Sequence, residues 1–173
     1  MNIPTIETER LILRGQTAQD FPAFARMWAD PVVTRFIGGV PLGEEEAWAK
    51  FMRIAGHWTL LGFGFWGIFE KDTGARIGEA GILDVKRDIV PSFHGTPELG
   101  WGLLPAVHGK GYATEAVRAI IAWAEGHFGK VRMVCIIDPG NTASLRVAHA
   151  CGFRECAQTT YKGDPTVILE RLG

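Results

Sequence analysis

The sequence predicts a fold of the α/β class, in which helices cover both faces of one mixed sheet. Along the first half of the chain, short apolar segments alternate with amphipathic ones, which indicates strands and helices of one fold. From Glu98 onwards the pattern becomes strand, helix, strand, helix, and such a unit normally closes with parallel strands. The last two apolar segments indicate an antiparallel hairpin. We therefore expect a mostly antiparallel sheet that contains one parallel pair.

Capping signals and periodicity place the elements of the first half. A strand is predicted at Arg10–Arg14, and Thr17 with Asp20 predicts the start of a helix that ends near Trp28. Another helix is expected from Gly43 to Gly62, because glutamates open it and its apolar residues recur at helical spacing. Three antiparallel strands should follow, over residues 63–70, 77–85 and 98–104.

The second half predicts two strand-helix units and a closing hairpin. The helices are expected over residues 109–128 and 141–151, directly after strands at 98–104 and 131–138. Because these two strands should be parallel, both helices are expected to begin at the same edge of the sheet. Antiparallel strands at 153–160 and 166–172 complete the prediction.

Composition and charge exclude several classes of function. The chain of 173 residues is expected to form a single domain over residues 1–173, large enough for an enzyme. Its 18 basic and 19 acidic residues give a net charge of −1 without blocks of like charge, so we expect neither nucleic acid nor a membrane as a partner. No apolar run approaches the roughly 20 residues that span a bilayer, and no signal peptide is evident, which predicts a cytoplasmic protein.

The cysteines and histidines do not indicate a metal site. Cys135, Cys151 and Cys156 form no C-x-x-C pair, which argues against a zinc site and a disulfide framework. We expect all three to be buried thiols. Cys135 lies inside an apolar strand, so we expect an inert thiol there rather than a nucleophile that carries an acyl group. No metal is expected in the site.

The most informative segment is a glycine-containing loop between an extended apolar segment and a helix. Gly109 and Gly111 can adopt backbone conformations closed to other residues, so successive N–H groups at the helix start can point at one anion. A P-loop is excluded because Leu104 stands where its first glycine is required. A dinucleotide fingerprint is excluded because Pro105 stands at the position of its last glycine. The loop still predicts a pyrophosphate site.

This loop resembles the acetyl-coenzyme A (acetyl-CoA) loop of the GCN5-related N-acetyltransferase (GNAT) superfamily, whose pattern is Gln/Arg-x-x-Gly-x-Gly/Ala. Here the pattern reads His108-x-x-Gly111-x-Ala113, with histidine in place of Gln or Arg. The run from Gly109 to Ala116 resembles the branch that acetylates ribosomal-protein N-termini, the RimJ and RimL type. A second block, Asn141-x-x-Ser followed by Gly-Phe at 152–153, is similar to a segment of the same branch.

The resemblance implies the GNAT fold, with acetyl-CoA as cosubstrate and most contacts to it made by backbone groups. The parallel pair is expected to splay near Leu103, so that a free strand N–H binds the thioester oxygen and the pantetheine arm mimics a missing strand. Lys110 should add positive charge near the phosphates. The other expected cofactor contacts are Leu104, His108, Gly109, Gly111, Tyr112, Ala113, Thr114, Asn141 and Ser144.

Two residues are expected to carry the chemistry of a direct acetyl transfer. Ser144 should donate a hydrogen bond to the leaving thiolate, because Ala148 stands where many relatives place a tyrosine acid. Glu98 should take the proton of the amine, directly or through water, with Glu79 and His94 as alternatives. Helix capping alone would also explain Asn141, with Ser144 facing solvent.

The acceptor implied by the resemblance is a primary amine. A peptide or protein N-terminus is favoured, and a small molecule such as an antibiotic, polyamine or amino acid is the alternative. We expect the amine to enter between the helices at Thr17–Trp28 and Gly43–Gly62. A non-catalytic sensor of acyl-CoA remains open, because a cradle of backbone groups would survive the loss of chemistry. The sequence leaves both a monomer and a homodimer open.

Overall fold

Eight strands form one mixed sheet in the computed structural model, which describes residues 3–173. The strands are β1 (Ile6–Glu7), β2 (Leu11–Arg14), β3 (Phe65–Glu70), β4 (Arg76–Leu83), β5 (Glu98–Leu103), β6 (Met133–Ile137), β7 (Arg154–Tyr161) and β8 (Asp164–Arg171). Their order across the sheet is β1-β2-β3-β4-β5-β6-β8-β7, and each neighbouring pair is antiparallel except β5 and β6. The predicted class and the single parallel pair are confirmed.

The helices of the described residues lie mostly where the sequence predicts them. They are α1 (Phe21–Trp28), α2 (Pro31–Thr34), α3 (Glu44–Leu61), α4 (Tyr112–Phe128) and α5 (Thr142–Ala150), with short 3-10 helices at Ala18–Asp20 and Pro105–Val107. Over residues 3–173, no helix combines the length and the apolar character needed to cross a membrane.

The predicted capping residues begin and end these helices. The Thr17 N–H donates to the Asp20 carboxylate at 2.7 Å, ahead of α1. The Gly43 N–H donates to Glu46 at 3.0 Å where α3 begins, and Gly62 ends α3 with a φ of +75°, which glycine adopts without steric cost. The sequence did not predict β1 and α2, because two and four residues are too few to show a periodicity.

Side chains of the central strands alternate between two covered faces. Trp66 of β3 is fully buried, and its ring centroid lies 5.0 Å from that of Trp123 on α4. Trp66 aligns through β4 with Trp101 of β5, so the next residue, Gly102, faces the opposite side. A Cβ at Gly102 would lie 3.7 Å from Met27 of α1. Helices thus cover both faces, with β5 between α4 and α1.

The core contains most of the aromatic residues of the first half of the chain. Trp28, Trp58, Phe65 and Trp66 are buried, whereas Trp48 is 43% exposed. The large aromatic side chains therefore fix the packing of α1 and α3 against the sheet.

One of the three cysteines departs from the expectation of a buried thiol. Cys135 and Cys151 are buried, but Cys156 is exposed. The register of β7 with β8 shifts between Glu155 and Ala157, so Cys156 is the extra residue of a bulge in the edge strand.

Candidate cofactor and catalytic site

The strands β5 and β6 pair only where they begin. Glu98 aligns with Val134, and no later pair of residues in the described parts of these two strands is in register. The Leu104 N–H donates to the Ile77 carbonyl at 2.9 Å on the β4 side, so strand alternation directs the Leu103 N–H towards β6. The predicted splay near Leu103 is present, and it opens a gap between the carboxyl ends of the parallel pair.

Two glycines with positive φ connect this gap to α4. Gly109 has a φ of +76° and Gly111 one of +81°, the left-handed region that favours glycine. The first backbone hydrogen bond of α4 joins the Glu115 N–H to the Gly111 carbonyl at 3.1 Å. The earlier N–H groups, from Tyr112 to Thr114, therefore have no partner within the helix. An exposed helix start of this kind suits a phosphate.

His108, which stands where the motif has Gln or Arg, contacts the end of β5. Its Nε2 lies 2.9 Å from the Leu103 carbonyl oxygen. Because that oxygen only accepts, Nε2 carries the proton and donates. The imidazole thus gives a hydrogen-bond partner to the Leu103 carbonyl, at the point where β5 no longer pairs with β6.

Side chains outside the motif hold the loop against the sheet. The Glu115 carboxylate accepts from the Thr8 hydroxyl at 2.6 Å, from the Arg10 N–H at 2.8 Å and from Arg10 Nε at 2.7 Å. The Tyr112 hydroxyl donates to Glu70 at 2.7 Å. Sequence reasoning missed these contacts because the partners lie far apart in the chain. The one sequence feature that pointed to them was Glu115 in the first turn of α4. An acidic residue at that position is already explained by its favourable interaction with the helix dipole, so it did not indicate a distant partner.

Asn141 and Ser144 lie at the start of α5, at the same edge of the sheet as the glycine loop. The Asn141 Oδ1 accepts from the Ser144 N–H at 3.1 Å, so the amide oxygen caps the helix. Ser144 is half-buried one turn inside α5. The Cys151 thiol at the far end of α5 lies 3.9 Å from the Thr114 carbonyl, which places the end of α5 against the first turn of α4.

Glu98, the expected base, is buried and pairs with Arg87 through both carboxylate oxygens. It is 4% exposed, and its two carboxylate oxygens accept from Arg87 Nε at 2.6 Å and Nη2 at 2.5 Å. Burial would lower the pKa of Arg87, but the hydrogen bonds and charge of Glu98 raise it above its ordinary value. His94 Nε2 lies 2.8 Å from the Arg87 carbonyl. The structure therefore brings Glu98 and His94 together around Arg87.

Glu79, the alternative carboxylate, is a residue of β4 and is fully buried. Its Oε2 accepts from Arg76 Nη2 at 3.1 Å, while burial raises the pKa of Glu79 in spite of that charge. Its Oε1 has no partner among the described residues, and the same holds for three buried nitrogens, Gln16 Nε2, Trp28 Nε1 and Arg76 Nε. In this conformation no substrate atom could contact Glu79.

On the face of β5 that points towards α1, glycines follow Glu98. Gly100 and Gly102 face the same side as Glu98 and are half-buried. Beyond them, Ile37 lies 3.8 Å from the Cβ position of Gly102, and Phe36 lies 3.4 Å from that of Gly140. The segment after α2 therefore spans from β5 to the loop before α5, across the splayed pair.

Neither a metal nor a reactive cysteine is part of this arrangement in the described residues. Over residues 3–173, no group of three or more His, Cys, Asp or Glu side chains could hold a metal ion. Cys135 is 1% exposed, and burial raises the pKa of its thiol, which opposes formation of a thiolate.

The chain is similar to known acetyltransferases over most of its length. Residues 10–154 match the family model of the acetyltransferase (GNAT) domain. YkkB of Bacillus subtilis is 30% identical, with 99% of this chain and 98% of that protein covered. Among solved structures, a protein from Bordetella pertussis assigned to the GNAT family has a TM-score of 0.86 at 30% identity, covering 97% of this chain and 99% of that one. An acetyltransferase from Agrobacterium tumefaciens has a TM-score of 0.83 at 30% identity, covering 100% and 96%.

More distant solved structures share the fold, but their names point to different acceptors. The ribosomal L7/L12 alpha-N-protein acetyltransferase RimL has a TM-score of 0.78 at 16% identity, covering 99% of this chain and 95% of that one. AAC(6')-Ib, solved with paromomycin and acetyl-CoA, has a TM-score of 0.76 at 15% identity, covering 95% of this chain and 94% of that one. Likeness at these identities shows the fold alone, so it does not single out the RimJ and RimL branch. What the matched domain and the relatives share is the family, and this chain belongs to the GNAT acetyltransferases.

Proposed function

We propose that the protein is an acetyl-CoA-dependent N-acetyltransferase that transfers the acetyl group directly to a primary amine. One observation carries this proposal: the unpaired end of β5 and the starts of α4 and α5 lie at one edge of the sheet. A strand edge suits an extended amide-containing arm, and a helix start suits a pyrophosphate. Acetyl-CoA contains both groups in one molecule.

The proposed cofactor contacts follow the same geometry. The N–H groups of the loop and the first turn of α4 bind the pyrophosphate, and Lys110 adds a positive charge beside it. The Leu103 N–H, directed into the gap, binds the thioester oxygen and stabilises the negative charge that develops there. The amine nitrogen forms a bond to the carbonyl carbon, the carbon–sulfur bond breaks, and coenzyme A leaves as a thiolate.

Two side chains complete the proposed proton transfers. Ser144 donates a hydrogen bond to the departing thiolate, which needs little driving force because a thiol has a pKa of about 8.5. Glu98 receives the proton of the amine through water, since its carboxylate is nearly enclosed and paired with Arg87. His94 is the alternative base, because Glu79, which the sequence also suggested, is fully buried.

We propose a peptide or protein N-terminus as the acceptor, with a small amine as the alternative. The similarity of the glycine loop and of the Asn-x-x-Ser block to the ribosomal-protein branch supports the peptide. The Cβ position of Gly102 lies 3.7 Å from Met27 and 3.8 Å from Ile37, and we expect the amine to approach the gap beside these side chains.

The test is an acetylation assay with a panel of acceptors. The protein is incubated with acetyl-CoA and N-terminal peptides, aminoglycosides, polyamines or amino acids, while thiol release and product masses are measured. We expect release of coenzyme A together with an acetylated peptide. Acetylation of small molecules alone would overturn the peptide acceptor. Binding of acetyl-CoA by calorimetry with no acetylated product would favour the sensor, and no binding at millimolar concentration would overturn the whole proposal.

A further inference from the structure

We infer that Arg10, which lies outside the glycine motif, is a positioning residue of the cofactor phosphate site. Its guanidinium orients the peptide group between Lys110 and Gly111, so that the Gly111 N–H is presented to a bound pyrophosphate. The inference rests on the proposed binding of acetyl-CoA at this loop. It adds a contribution from the turn before β2 to a site otherwise built from β5, α4 and α5.

The first step is the hydrogen bond that orients the peptide group. Arg10 Nη1 donates to the Lys110 carbonyl at 2.8 Å. In a planar trans peptide the carbonyl and the following N–H point in opposite directions. Fixing the Lys110 carbonyl towards Arg10 therefore directs the Gly111 N–H away from Arg10, on a loop whose residues from His108 to Gly111 are exposed.

The second step is that Arg10 is itself held in place. Its Nε donates to Glu115 at 2.7 Å, its backbone N–H donates to the same carboxylate at 2.8 Å, and its guanidinium carbon lies 4.5 Å from the ring centroid of Tyr112. These contacts all reach the first turn of α4. An arginine fixed in this way loses little conformational freedom when a ligand binds.

The third step concerns Nη2 of Arg10, which takes no part in the hydrogen bonds to Glu115 and Lys110. Nε and Nη1 are used, and Nη2 lies 3.4 Å from the Cβ position of Gly111, beside the loop. The side chain is 42% exposed and lies on the carbonyl side of the Lys110–Gly111 peptide group, so it acts on a phosphate at the Gly111 N–H through its charge and not through direct contact. Its charge adds to the positive end of the α4 dipole.

Calorimetry of coenzyme A binding tests the inference. We expect Arg10→Met to weaken the affinity about tenfold or more, because an oriented donor and a nearby charge are both lost. The affinity of Arg10→Lys should lie between those of Arg10→Met and the unaltered protein, because an ammonium keeps the charge but lacks the planar guanidinium. The matched control is Arg132→Met. Arg132 is 41% exposed, and its Nε donates to Glu170 at 2.6 Å, remote from the loop.

A second cosubstrate separates positioning from a general structural effect. Acetyl-pantetheine carries the thioester but no pyrophosphate, so its kcat/KM should be the same in Arg10→Met and in the unaltered protein. Equal losses with both cosubstrates, or unchanged affinity for coenzyme A, would overturn the inference. If the Met variant does not fold, Arg10→Lys supports the same comparison. Failure of the unaltered protein to bind coenzyme A would instead refute the proposed function.

Discussion

Among single residues, Glu98 is the one whose surroundings most restrict how it can accept a proton. A carboxylate acts as a base only when a lone pair is within reach of the proton, directly or through water. Arg87 occupies one lone pair on each oxygen of Glu98, and the side chain is 4% exposed. Each oxygen keeps a second lone pair, so a relay through water is the route that this geometry leaves open.

The variant Glu98→Gln tests the proposed base. Glutamine keeps an oxygen that can accept from Arg87, so we expect a folded protein. Turnover should fall by about 100-fold or more, which is typical for loss of a general base, and the rise of the rate on the acidic side of the pH profile should disappear. The measurement is the pH dependence of kcat and kcat/KM with a saturating amine.

Glu155→Gln, in the edge strand β7, is a control that should leave both the rate and its pH dependence unchanged. An unaltered pH profile in Glu98→Gln would show that the base lies elsewhere. His94, which contacts the Arg87 carbonyl, is then the next residue to replace, because Glu79 is fully buried.

His108 and Arg10 show where prediction of the site from sequence ends. The glycine pattern predicts the loop because conformational freedom is a property of single residues, and both Gly109 and Gly111 have positive φ. The contact between His108 and the Leu103 carbonyl depends on where β5 ends and β6 diverges. The partners Arg10 and Lys110 are joined only by the order of strands in the sheet.

Among the elements, the first turn of α4 connects the loop to the first strands of the sheet. Burial would raise the pKa of Glu115, but hydrogen bonds from the Thr8 hydroxyl and from Arg10 lower it below its ordinary value of 4.5. A carboxyl whose pKa is lower in the folded state stabilises the fold above the ordinary value. That stabilisation is lost as the pH falls through the folded value.

The variant Glu115→Gln should therefore destabilise the protein in a pH-dependent way. We expect a loss of about 1.5 to 3 kcal/mol in the free energy of unfolding at pH 7, the usual contribution of hydrogen bonds to a charged group. The difference from the unaltered protein should shrink below pH 4.5. Denaturant unfolding at a series of pH values measures both effects.

Glu125→Gln is the control on the same helix. Glu125 accepts from Arg171 at 2.7 Å but is 34% exposed, so its loss should cost less. A difference between Glu115→Gln and the unaltered protein that stays constant with pH would contradict the assignment of the lowered pKa to these hydrogen bonds.

The elements themselves were predictable where a local signal marks them. Thr17, Asp20, Gly43 and Gly62 act through contacts within one turn, so the ends of α1 and α3 could be inferred from the sequence. The extra residue at Cys156 could not, because a bulge is a mismatch between two strands and leaves no pattern in one of them.

Across the whole molecule, the sheet consists of two antiparallel parts joined by one short parallel pairing. β1 to β5 form one part and β6 to β8 the other, with Glu98 and Val134 as the aligned residues between them. Arg87 adds a second connection, because it pairs with Glu98 and its guanidinium carbon lies 5.1 Å from the ring centroid of Tyr161 on β7. A cofactor arm bound in the gap would contact both parts.

Acetyl-CoA should therefore stabilise the molecule at both sides of the gap together. At a concentration one hundred times its dissociation constant, a ligand adds about 2.7 kcal/mol to the free energy of unfolding. For a chain of this size the midpoint of thermal unfolding should rise by about 5 to 10 °C. Hydrogen exchange should slow in two segments distant in sequence, from Leu103 to Thr114 and from Asn141 to Ser144.

Acetyl-pantetheine, at the same multiple of its own dissociation constant, should protect Leu103 but not the N–H groups from Gly109 to Thr114, because it lacks the pyrophosphate. Protection of the loop by both ligands, or of only one side of the gap by acetyl-CoA, would contradict a cofactor bound between the two parts of the sheet.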